Sequence, residues 1–291
     1  MDEGLLNDPV WLERMYAQHA GAPEFPDFLQ RWQRDSAQVR ASQSGRLDLP
    51  YAGGAGEALD VFPGEAQRAP VLVFLHGGSW RSLDKADFSF LAPAFTQQGA
   101  CVVLPNYALC PGSSQAPVAI PHIVRQMEKA LVWVWQNIHA LGGDPHNITL
   151  VGHGAGGHLA ALLLASAWPL LAPGLPDGLV RKALSISGVY DLTPLRYTPS
   201  LQRDLRLTEQ QVLRCSPALL SAPPQAHLHC IVGAQEAPEW HRQSRLMQQA
   251  WGSHFVPRCD SVPEQHHYSL VDALARRRSD VQQMAVNLLR L

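Results

Sequence analysis

Apolar residues recur along the chain in two alternating patterns. Short runs rich in β-branched residues lie at 71–75, 101–104, 148–151, 183–187 and 228–232. Between and after them, stretches at 88–98, 121–139, 156–167, 238–251 and 281–291 carry apolar residues at helical spacing. Strands that are apolar throughout and separated by helices predict a mostly parallel sheet covered by helices on both sides. Two more short strands, 47–51 and 58–62, flank the hairpin-like turn Gly53-Gly54-Ala55-Gly56. A last short strand near Phe255-Val256 brings the expected sheet to eight strands. Ahead of the sheet, Asp8-Pro9 supplies an N-cap and an N1 proline for a helix running to about His19. A second helix fits 26–41, with Phe28, Leu29 and Trp32 on one face. This helical arm, residues 1–45, is expected to pack over the larger domain rather than to wall a substrate pocket. Residues 190–225 are proline-rich, contain no clean strand and predict a small irregular cap. No repeat or linker interrupts the pattern, so 1–291 reads as one α/β domain.

Composition narrows the function. Of 291 residues, 46% are apolar and 16% charged, which suits a globular core and argues against disorder. The formal charge is -2, so there is no basic excess to neutralise phosphates, and nucleic acid is not an expected partner. The longest apolar runs, 70–75 and 159–165, fall far short of a membrane span. Met1-Asp2-Glu3-Gly4 begins no secretory signal. Five cysteines without a CxxC pair read as reduced thiols of a cytoplasmic protein.

Thirteen histidines raise the question of metal. His153 and His158 are five residues apart, so they do not share a helix face as an i, i+4 pair does. His227 and His229 share one side of a strand but have no third ligand nearby, and no HExxH occurs. Neither a metal nor another cofactor is expected.

Two segments carry chemistry. His76-Gly77-Gly78-Ser79-Trp80 follows directly on the strand 71–75. Consecutive glycines let the backbone turn sharply and aim N–H groups at a developing oxyanion. Gly152-His153-Gly154-Ala155-Gly156 lies between the strand 148–151 and the helix 156–167. That strand–turn–helix context is where a G-x-S-x-G nucleophile elbow sits. Every part of the elbow is present except the serine, because position 154 is glycine.

With these segments the chain resembles the α/β-hydrolase superfamily, and within it the arylformamidase (kynurenine formamidase) group and related bacterial esterases. The resemblance also rests on Pro105-Asn-Tyr-Ala-Leu-Cys-Pro111, Gly142-Gly-Asp-Pro145, Ser187-Gly-Val-Tyr-Asp191 and Glu239-Trp-His-Arg-Gln-Ser244, and it spans about residues 10–290. It implies an α/β-hydrolase fold and hydrolysis of aryl formamides or small esters through a serine, a histidine and an acid. It implies an acid in the loop after the strand 228–232, where Glu236 is the first choice and Glu239 the alternative. It implies that His267, in Glu264-Gln-His-His-Tyr268, is the base, with His266 pointing elsewhere. Gly77, Gly78 and Ala155 would form the oxyanion hole. Trp80, Tyr190, Trp240 and Tyr268 would line an aromatic pocket for a small aromatic substrate. His76 and His153 would shape the two loops, and the other histidines would lie on the surface. Nothing fixes the oligomeric state; a homodimer is the commonest arrangement.

Loss of the serine from such a unit lowers kcat by about a million-fold. Cys110, Ser187 and Ser79 do not replace it, because none sits at an elbow of its own. Three readings of Gly154 stand side by side. The chain is an inactivated hydrolase variant, or a natural pseudohydrolase that binds a ligand in the same pocket. In the third, His267 activates a water, which lacks the entropic advantage of a fixed nucleophile.

Overall fold

The computed structural model describes residues 3–16, 24–42, 44–64 and 66–290. Eight strands form one sheet: β1 (Arg46–Pro50), β2 (Ala58–Phe62), β3 (Ala69–Leu75), β4 (Cys101–Pro105), β5 (Gly143–His153), β6 (Lys182–Ile186), β7 (His227–Gly233) and β8 (Arg258–Val262). Their spatial order is β1-β2-β4-β3-β5-β6-β7-β8. β2 runs antiparallel to both β1 and β4, and β3 to β8 are parallel. This is the α/β-hydrolase architecture, a mostly parallel eight-stranded sheet flanked by helices. Side chains alternate across a strand, so Val71, Val73 and Leu75 enter one core layer while Leu72 and Phe74 enter the other.

Ten α-helices are described: α1 (Pro9–Tyr16), α2 (Phe25–Ser42), α3 (Ala92–Thr96), α4 (Ile120–Asn137), α5 (Ala155–Leu164), α6 (Pro199–Leu205), α7 (Glu209–Cys215), α8 (Pro238–Trp251), α9 (Ser269–Ala275) and α10 (Asp280–Arg290). The first helix was expected to reach His19 and the last Leu291; residues 17–23 and 291 lie outside the described residues. No helix among the described residues is long and apolar enough to cross a membrane. All five cysteines are free.

Four expectations need correction. The stretch 88–98 is a 3-10 helix, Lys85–Leu91, that runs into α3. Asp84 caps it with a reciprocal capping box through Asp87. The final strand is Arg258–Val262, an edge strand with mostly exposed or half-buried positions, whereas Val256 is a buried core residue ahead of it. The 190–225 excursion is more regular than expected: it holds α6 and α7, the latter opened by a Thr208–Gln211 capping box. His158 and His229 are buried, not on the surface.

The arm docks by packing and by buried charge. Trp32 stacks on Phe90 with ring centroids 5.8 Å apart and donates its indole N–H to Asp272 at 2.6 Å. Arg40 pairs with the fully buried Asp60, which also accepts from Lys85 Nζ at 2.8 Å. Buried charges are tolerated when paired in this way.

Candidate functional site

The site lies beyond the C-terminal ends of β3, β5 and β7, where open α/β sheets bind ligands. β5 ends at His153, and α5 begins at Ala155. Gly154, at the tip between them, has φ 56° and ψ -116°, a conformation strained for an L side chain. The turn is tight: a Cβ on Gly156 would meet Leu75 O at 1.9 Å. Beside it, Gly78 has φ 97°, and a Cβ there would stand 2.1 Å from Ser82 O. Ser79 and Trp80 follow, both with positive φ. Among the described residues, the backbone N–H groups of Gly78 and Ala155 donate to no protein acceptor.

His76 braces this loop from below. Its ring stacks on Tyr107 at 4.2 Å, and its Nδ1–H donates to Gly77 O at 2.8 Å. Tyr107 donates its hydroxyl to His76 O at 2.8 Å.

An acid–base pair faces the elbow. His267 Nδ1–H donates to Glu236 Oε2 at 2.7 Å. The other oxygen of Glu236 accepts from Ser187 Oγ at 2.6 Å and from the Gly233 N–H at 2.7 Å. Both carboxylate oxygens are therefore committed, and the tautomer of His267 is fixed with its Nε2 lone pair free. A Cβ built on Gly154 stands 3.6 Å from that Nε2. His153 Nε2–H donates to His267 O at 2.9 Å and fixes the histidine loop. Burial, and secondarily the charge of His267, hold the His153 imidazole well below its ordinary pKa, so it is neutral.

Glu239 faces elsewhere. It is fully buried, accepts from Tyr16 OH at 2.6 Å and forms a two-pronged ion pair with Arg242 at 2.6 and 2.7 Å. The sequence offered it as an alternative to Glu236, but it touches the arm and not His267.

A cavity of about 230 Å³ opens over the elbow. Trp80, Trp240, Tyr268, Gly78, Gly154, Ala155, His153 and His267 line it. Glu13, Tyr16, Phe25 and Trp32 line it too, so the arm walls the pocket, against the expectation that it only packs. One further expectation is revised. Tyr190 does not line the cavity: it is fully buried and spends its hydroxyl on Ser185 Oγ at 2.7 Å. Gly77 packs against the elbow, where a Cβ on it would meet His153 O at 2.9 Å, and its N–H, like that of Gly78, donates to no protein acceptor among the described residues. His266 points away, its ring edge-on to Phe28 at 5.5 Å. Among the described residues, no three His, Cys, Asp or Glu side chains converge as a metal site.

The sequence reading missed Ser187 as a partner of Glu236. Its one signal was a serine at the end of β6, beside the strand that ends at Gly233.

Known proteins match this architecture. The carboxylesterase family model matches residues 58–231, from β2 into β7, which includes the glycine loop and the elbow. A kynurenine formamidase from Danio rerio is 31% identical over 238 residues, covering 78% of this chain and 76% of that protein. A solved chain from Silicibacter sp. tm1040 that carries a thioesterase description superposes with a TM-score of 0.82 at 29% identity, over 94% of this chain and 98% of that one. A Pyrobaculum calidifontis esterase shares the fold, with a TM-score of 0.69 at 19% identity over 91% and 92%. The chain belongs to the carboxylesterase family of α/β-hydrolases.

Proposed function

We propose that this chain is an ester or amide hydrolase scaffold for small aryl substrates, with Gly154 standing at the nucleophile position. The aryl group of a formamide or ester packs between Trp80, Trp240 and Tyr268. Its carbonyl oxygen accepts from the N–H groups of Gly78 and Ala155. His267 is the general base, and Glu236 holds its tautomer and stabilises the imidazolium once it forms. With glycine at 154 there is no side-chain oxygen to acylate, so the chain binds substrate and forms no acyl-enzyme. The kynurenine formamidase relatives support the formamide branch of this reading, and the esterase relatives the ester branch.

One observation carries the proposal: a Cβ on Gly154 stands 3.6 Å from His267 Nε2, a lone-pair nitrogen whose ring is tied to Glu236. A hydroxyl one bond further is within hydrogen-bond reach of that nitrogen. The acid–base pair is unnecessary for binding alone, and its presence favours an inactivated hydrolase over a dedicated binding protein. The codon at position 154 in the source genome separates the two: serine marks an inactivated variant, glycine a natural pseudohydrolase. Activity is tested by Gly154→Ser, assayed on aryl formamides and p-nitrophenyl esters. The expected outcome is turnover that His267→Gln removes. An inert Gly154→Ser protein, correctly folded, contradicts the reading.

A further inference from the structure

We propose that the chain with glycine at 154 has a serine-independent activity of its own: His267 deprotonates a water lodged beside Gly154, and that water attacks activated aryl esters directly. The proposal rests on the site reading above and adds a route that does not pass through an acyl-enzyme.

The space beside Gly154 is the first argument. Outside its chain neighbours, the nearest heavy atoms to a Cβ built there are His267 Nε2 at 3.6 Å, His267 Cε1 at 3.8 Å and Gly77 Cα at 4.0 Å. These are ordinary contact distances, so a methyl-sized body fits without displacement. A water is of similar size and, not being bonded to Cα, lies further out than that Cβ, toward the cavity that Gly154 and His267 line. The second argument is the proton inventory. His267 Nδ1 carries its hydrogen toward Glu236, so Nε2 is the acceptor aimed at this space. Glu236 is held by Ser187 and Gly233 on its other oxygen and stays oriented while the imidazole gains charge. The third is the neighbour. His153 is kept neutral by burial and adds no opposing charge beside the imidazolium.

The step balances without any other reactant. The water O–H proton passes to His267 Nε2 as the water oxygen bonds to the acyl carbon. The carbonyl electron pair moves onto oxygen, facing the N–H groups of Gly78 and Ala155. Collapse breaks the acyl–oxygen bond and expels the aryl oxide. The proton on His267 then leaves to that aryl oxide or to solvent. Only leaving groups as good as p-nitrophenolate suit it, because no covalent intermediate divides the barrier.

The test uses p-nitrophenyl acetate and three proteins: the unchanged chain, His267→Gln and Gly154→Ala. Residual catalysis of about a thousand-fold over water is expected of the unchanged chain, with linear p-nitrophenolate release and no acetyl adduct by intact mass. His267→Gln should lower the rate by about a hundred-fold, as for loss of a general base. Gly154→Ala restores the Cβ of serine and yet should fall to the His267→Gln level, because its methyl takes the place of the water. If Gly154→Ala does not fold, the solvent deuterium isotope effect on the unchanged chain decides instead: it should be normal and be lost in His267→Gln. An unchanged chain no faster than His267→Gln, or a folded Gly154→Ala protein as fast as the unchanged chain, overturns the proposal. Neither result touches the parent reading, which fails only if Gly154→Ser is inert.

Discussion

Glu236 and Glu239 lie three residues apart, are both buried, and serve opposite regions of the molecule. Glu236 turns toward the elbow and holds His267, with a serine and a backbone N–H on its second oxygen. Glu239 turns toward the arm and holds Tyr16 and Arg242. Composition and burial do not distinguish them; their partners do. A carboxylate bound to a lone imidazole orients a base, whereas one bound to a guanidinium and a phenol binds two pieces of structure together. The floor of the cavity, made of short local turns, sets the chemistry. Its roof, made by the arm, sets what fits above that chemistry.

Four substitutions or conditions break this contrast, with decreasing effect. In the Gly154→Ser background, Glu236→Gln should lower kcat by about ten-thousand-fold with the fold intact, because His267 loses its tautomer control. Steady-state kinetics with a melting curve on the same sample checks it. Glu239→Gln should act on stability instead. Removing one member of a buried pair strands Arg242, at about 3–5 kcal/mol, read from urea denaturation. If Glu239→Gln abolished turnover without destabilising the protein, the division of labour would be wrong.

Acidification comes next. Burial pushes the His158 imidazole down to about 4, only partly offset by its bond to Cys215 O, and His153 moves the same way. The unfolded chain, with histidine near its ordinary value of about 6.5, takes up protons that the folded state refuses. Stability contributed by these groups is thus present above about pH 6.5 and lost as pH falls toward 4. For His158 the loss at pH 5 is about 2 kcal/mol. Urea midpoints at pH 7 and pH 5 measure it, and equal midpoints contradict it. The smallest effect belongs to Tyr16→Phe. It deletes the hydroxyl's bond to Glu239 and the one it accepts from Gln243 Nε2, each worth about 1 kcal/mol, and should lower the urea midpoint while leaving kcat of the Gly154→Ser protein unchanged.

Much of the fold was legible because its strands are buried on both faces and its helices are periodic. β8 was misplaced because an edge strand such as Arg258–Val262 carries few buried apolar positions, while buried Val256 nearby imitates one. The glycine loop and the elbow were legible because tight turns and close approaches demand particular residues, as Gly156 under Leu75 O shows. The arm's place in the cavity wall was not, since Glu13 and Trp32 reach it only through tertiary docking. Tyr190 carried the wrong expectation for the same reason. An aromatic residue near a motif does not announce whether it faces a ligand or a serine of the sheet, here Ser185 on β6. Ser187 was weighed only as a nucleophile, and its bond to Glu236 spans 49 residues of sequence.

The central claim is that a base already in place faces residue 154 and that no other side chain in the cavity takes the nucleophile's part. Intact-mass analysis after treatment with a small p-nitrophenyl phosphonate tests it most directly. The account predicts one phosphonyl adduct per chain on Gly154→Ser, none on the unchanged protein and none on Gly154→Ser with His267→Gln. An unlabelled Gly154→Ser protein, or an adduct on the unchanged chain, would contradict it.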